Sequence, residues 1–222
     1  MPESEQRILR VEIDGTWTSE EFSDSLQSIG DIYSLRTVLG IEQKSLMEMD
    51  MLYPEFLDFP FPFRRLPKRL RAAYRAHGLR FPPMLSPLID PRDPSFALKL
   101  LEPEEQLYVK RIQFGSPGFT DLAGLGDVVG HIKDFLLKGI EWALTRRQRD
   151  LENQEREARV QKLRIENARE LVGLAKDCGY SQAEIRQMVH WVDGRQAKLL
   201  PLIEQGKIRD VRLLSGEKAE KD

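Results

Sequence analysis

Cysteine is almost missing from this chain. Cys178 is the only one in 222 residues, which rules out an internal disulfide framework and suits a reducing compartment. Long hydrophobic runs are missing as well. No apolar stretch reaches the ~20 residues that a membrane-spanning helix needs, and the opening MPESEQR lacks the apolar core of a signal peptide. Together these absences predict a cytoplasmic protein with no membrane partner. An excess of charge of either sign is also lacking. The 34 Lys and Arg against 36 Asp and Glu leave a formal −2, so the chain as a whole has no pull toward nucleic acid or anionic lipid.

What is present reads as a mostly helical α+β protein in six stretches. Residues 1–50 form a first βα unit. ILRVEID alternates as a half-buried strand does, Gly15 turns the chain, and Thr18 with Glu21 offers a capping box. Behind it, Phe22, Leu26, Ile29 and Tyr33 mark one buried helix face. Residues 51–105 hold ten of the thirteen prolines, interleaved with phenylalanines. The prolines argue against long regular elements, and the aromatics argue against a disordered linker. This predicts an irregular wrap with one short helix around 68–76.

Residues 106–144 make a second βα unit that packs on the first to form a small sheet. The strand LYVKRIQF runs into QFGSPGFTDLAGLGDVVG, with five glycines and one proline, and then into a helix starting near Leu122. A polar stripe of Asp127, His131, Asp134, Lys138 and Glu141 lies opposite Val128, Ile132, Phe135, Leu136 and Ala143. A solvated connector at 145–164, rich in i,i+4 ion pairs, extends the helix toward Lys176 as a long projecting element. Residues 165–215 read as a helical cap module. Ser181 and Glu184 form its capping box, Gly194 closes that helix, and a further helix covers 196–205. Residues 216–222 are a tail.

Each motif has a functional and a packing interpretation. In the glycine stretch, Gly124-Leu125-Gly126-Asp127-Val128-Val129-Gly130 misses the spacing of a dinucleotide fingerprint, and no G-K-[ST] is present for a P-loop. A tight turn at 115–118 and a small-residue face at Gly126 and Gly130 fit better, with a nucleotide-binding or hydrolytic domain at 115–130 as the weaker alternative. The basic run FRRLPKRLRAAYRAHGLR places Arg64, Arg65, Lys68, Arg69 and Arg75 among aromatics. That is the chemistry of single-strand nucleic-acid contact, unless these cations pair with Glu102, Glu104 and Glu105.

LVGLAKDCGYSQAEIRQMVHW spaces its apolar and small residues around Gly179 in a way that resembles a helix-turn-helix over 171–190. The resemblance implies that Gln182, Arg186 and Gln187 face a DNA groove. Eight basic and seven acidic residues over 165–215 supply little electrostatic attraction for such a role.

Catalytic groupings are sparse. His131/Asp134 and His190/Asp193 each give an H-x-x-D pair, short of the three or four ligands of a metal site. Cys178 sits where a core residue belongs, and Ser116 lies outside any nucleophile-elbow pattern. No cofactor, metal or enzyme activity is expected. Leu144, Leu151, Ala158, Ile165 and Val172 recur every seventh residue as one edge of a coiled-coil seam. These features point to a non-enzymatic, oligomerising adaptor whose long helix links a small α+β head to a C-terminal docking module. Its partners would be a second copy and another protein, with nucleic acid possible. A DNA-binding regulator using the 171–190 unit is the alternative.

Overall fold

The computed structural model describes residues 6–52, 89–90, 94–148 and 168–214. Strand β1 (Gln6–Ile13) leads into helix α1 (Ser19–Leu52), and two 3-10 turns, Pro94–Leu100 and Pro103–Glu105, precede the next strand. Strands β2 (Tyr108–Gln113) and β3 (Gly118–Leu125) are followed directly by helix α2 (Gly126–Gln148). A helical stretch at 168–177, here α3, precedes α4 (Gln182–Glu204) and the last strand, β4 (Ile208–Leu214). The expected α+β class is what the chain adopts.

All strand pairs are antiparallel, in the order β2-β3-β1-β4. Apart from the helices added between α2 and β4, this is the β-α-β-β-α-β split arrangement. Leu9, Val11 and Ile13 of β1 and Leu122 of β3 are buried with the helices' apolar residues in one core. Helix α2 packs over β1 and β4, while α4 packs across α1 and α2.

Local signals in the sequence place several elements. Thr18 Oγ1 accepts from Glu21 N at 3.1 Å, and Glu21 Oε2 accepts from Thr18 N at 2.9 Å, completing the capping box that starts α1. The Ser181/Glu184 box starts α4 in the same way. Val129, Ile132, Phe135, Leu136 and Ala143 of α2 are buried, and its five-residue polar stripe is exposed.

Four expectations need correction. The helix expected from Leu122 begins at Gly126, because Gly118–Leu125 is a strand. This glycine stretch therefore closes a β2–β3 hairpin. A Cβ on Gly118 would stand 2.5 Å from Gln113 O, and one on Gly124 would stand 2.8 Å from the Tyr33 ring. Gly124 is thus the position that admits α1 against the sheet. Gly130, expected on a packed small-residue face, has nothing within 4 Å of its Cβ position. No loop intervenes between β3 and α2 that would cradle a phosphate.

The third correction concerns α4, which passes through Gly194 and Pro201 without stopping. Its buried row Ile185, Met188, Val192, Gln196, Leu199 and Ile203 continues across both residues, and tertiary burial outweighs their helix-breaking tendency. Last, the supposedly helical 165–215 ends in β4, paired with β1. A register shift at Glu12/Ile13 leaves both Ile208 and Val211 buried. Their spacing of three imitates a helix, and the bulge produces it.

Candidate interaction surface

Strand β2 is one border of the sheet, and its two sides differ. Val109 lies opposite Leu122 and Ile112 opposite Thr120. Leu122 in turn lies opposite Leu9 and Thr120 opposite Val11, both in the core, so Val109 and Ile112 stand on the side of the sheet where the helices lie. Yet Val109 is 44% exposed, Ile112 38% and Phe114, just beyond the strand, 72%. Phe114 tilts over Phe22 at 5.5 Å between ring centroids, and Phe22 meets Trp17 edge-on at 6.0 Å. An apolar row therefore runs from the border strand onto the start of α1. Between Val109 and Arg111 the register slips, leaving Lys110 without a residue opposite it.

The middle of the sheet is held by charge instead. Arg10 donates from Nε to Asp121 Oδ1 at 2.8 Å and from Nη2 to Oδ2 at 2.9 Å. Both side chains are buried, and the Arg10 guanidinium covers the Phe119 ring at 4.0 Å. At the sheet's end, Asp14 accepts from Ser116 Oγ and pairs with Arg209. The Ser116 hydroxyl, the Gly15 amide and Arg209 together hold the Asp14 carboxyl below the usual carboxylate range, against the opposing effect of desolvation. Tyr33 bridges α1 to the sheet: its hydroxyl accepts from Leu125 N and donates to Glu105 O, both at 2.8 Å. Burial pushes that hydroxyl's pKa upward, which keeps it a donor.

The helical side is tied by ion pairs from α1. Arg36 meets Glu170 at 2.5 Å, Arg195 meets Asp31 at 2.6 Å, and Lys198 meets Asp24 at 3.1 Å. Burial lowers the Arg36 pKa and Glu170 pulls it back up. His131 Nδ1 stands 2.9 Å from the same Glu170 oxygen, and its expected companion Asp134 faces Lys133 instead. A crevice among these helices is lined by Ile132, Phe135 and Leu171, with Arg36, His131 and Gln196 as polar members. Its volume of about 20 Å³ has room for one water, far below the 300 Å³ or more of a small-molecule pocket.

The sequence-derived site residues fall into three groups. Gln182, Arg186 and Gln187 are exposed on α4, while Ile185 and Met188 are buried and Val189 is packed against the core. Of the heptad series, Leu144 is exposed on α2 and Val172 is partly buried against the core. Leu151, Ala158 and Ile165 lie outside the described residues, as do Arg64, Arg65, Lys68, Arg69 and Arg75. Cys178 is buried, its thiol donating to Leu39 O at 3.4 Å. Among the described residues no group of three or more His, Cys, Asp or Glu is placed to hold a metal ion, and no helix is long and apolar enough to cross a membrane.

The apolar row on β2 escaped the sequence reading. The alternation of LYVKRIQF indicated a strand but not that the strand is a border. No protein-family model, curated protein or solved structure matches this chain.

Proposed function

We propose that this chain is a non-enzymatic interaction protein that assembles with itself and holds a second protein. The observation that carries the reading is the row Val109, Ile112 and Phe114, large apolar side chains left open on a border strand. Contiguous exposed apolar surface of this kind marks binding sites on folded proteins. Leu144, exposed on α2, begins a second surface. In this reading α2 continues as a long helix, and Leu144, Leu151, Ala158 and Ile165 meet a second copy. Val172 drops out of that seam because it packs on its own core. Light scattering of the full chain at micromolar concentration tests self-assembly. A dimer or larger is expected, with Leu144→Asp and Leu151→Asp weakening it more than Gln154→Asp, and a strict monomer would contradict it.

One observation favours DNA as a second reading. Gln182, Arg186 and Gln187 share exposure along α4 while Ile185 and Met188 are buried, as a groove-reading helix requires. The test is sequence-selective duplex binding by the full chain. Loss of that binding in Arg186→Ala would put the DNA reading first.

A further inference from the structure

We propose that β2 accepts an extended segment of a partner protein as a fifth strand, and that this segment alternates apolar with acidic side chains. The inference rests on the interaction-protein reading above and names the chemistry of the partner. β3 occupies one side of β2, and among the described residues no strand pairs with the other. Such a border presents a row of backbone donors and acceptors, the template on which peptides add by β-augmentation. In a strand laid along it, every second side chain falls on the helix side of the sheet. There it would cover Val109 and Ile112, with Phe114 at the end of the row and Phe22 beneath Phe114.

Charge selects the partner. Lys110, at the register slip, is exposed and among the described residues has no ion-pair partner, and Arg111 follows it. A second copy of β2 paired antiparallel about this point would set Lys110 and Arg111 opposite each other's copies. Like charges directly opposite destabilise a strand pair, and lysine on a border strand is a recurring defence against self-pairing. An acidic segment turns the same charges into attraction. Glu102 lies exposed just before the strand, so the acids belong opposite the centre of β2 rather than at its Tyr108 end. The added strand is thus a different protein, and the self-assembly seam on α2 remains separate.

The test uses the full chain and two fluorescein-labelled nonapeptides, one alternating valine with glutamate and one alternating valine with lysine. Fluorescence anisotropy at low salt is expected to show the glutamate peptide binding at least tenfold more tightly. Methylating the glutamate peptide's alternate backbone nitrogens should weaken it by a further tenfold or more. Lys110→Glu with Arg111→Glu should reverse the preference. Because Arg111 stands over Phe119, Lys110→Glu alone serves as the variant that leaves the fold intact, and it should cut the preference to threefold or less. Equal affinity for the two peptides, or a preference that Lys110→Glu leaves unchanged, overturns the proposal. So does a wild-type dimer that the glutamate peptide dissociates, since a second copy would then occupy β2. If neither peptide binds while light scattering still gives an oligomer, the proposal fails and the interaction-protein reading stands.

Discussion

The two borders of this sheet are built from similar residues and treated oppositely. β4 alternates Ile208, Val211 and Leu213 with Arg209, Asp210 and Arg212, and β2 sets Val109 and Ile112 beside Lys110 and Arg111. On β4 the apolar residues are covered by α2, with Ile208 and Val211 buried, and its arginines pair with Glu12 of β1 and with Asp14 just after that strand. On β2 the apolar residues stay open, and Lys110 is exposed with no residue opposite it on β3. Strand composition therefore does not decide which border belongs to the core. Placement of the helices does: α2 and α4 are packed toward the β4 half, and no described helix covers the helix side of β2. The covered border serves stability, and the open one is where we propose that a partner adds.

The largest effect is expected between the two borders. Asp121→Ala removes the carboxylate that accepts from both Nε and Nη2 of the buried Arg10, and losing one member of a buried pair costs about 3–5 kcal/mol. Urea unfolding should show that loss. A cost under ~1 kcal/mol would mean that the centre of the sheet is far wetter than its burial indicates. Tyr33→Phe comes next, because it removes the acceptor for Leu125 N and the donor to Glu105 O. Leaving such groups unpaired costs about 1–3 kcal/mol, and a neutral result would show that water replaces both bonds.

How much of this was legible in the sequence follows the reach of each interaction. β1, the starts of α1 and α4, the polar stripe of α2 and the strand β2 all rest on signals within a few residues, such as the Thr18/Glu21 and Ser181/Glu184 boxes. β3 was hidden because its inward positions are Thr120, Leu122 and Gly124, and its outward Asp121 is buried by Arg10, 111 residues away. Neither glycine nor aspartate favours a strand, so the alternation did not register. β4 was masked by the bulge that brings Ile208 and Val211 to the same side. The candidate surface was half legible. Gln182, Arg186 and Gln187 are exposed as their spacing required, whereas the openness of Val109 and Ile112 depends on which helices reach β2.

A smaller effect tests how the turn after β2 is tied to β1. The folded-state pKa of Asp14 is depressed, so its contribution is fully present above the ordinary carboxylate value of about 4. The contribution is lost as pH falls through the folded value, since the unfolded chain then binds the proton first. Stability should therefore fall on acidification below pH ~4, and Ser116→Ala, which removes the largest cause of the shift, should flatten that fall. An unchanged acid limb in Ser116→Ala would show that Ser116 does not support Asp14 in solution.

The most direct measurement makes one substitution on both borders and compares urea midpoints. Val211→Thr places a hydroxyl in the covered core without a partner and should cost about 2 kcal/mol, within the usual 1–3 kcal/mol for such burial. Val109→Thr makes the same change on the open border, keeps a β-branched side chain, and should cost less than ~0.5 kcal/mol. Equal losses at the two positions would contradict the claim that β2 is an open border.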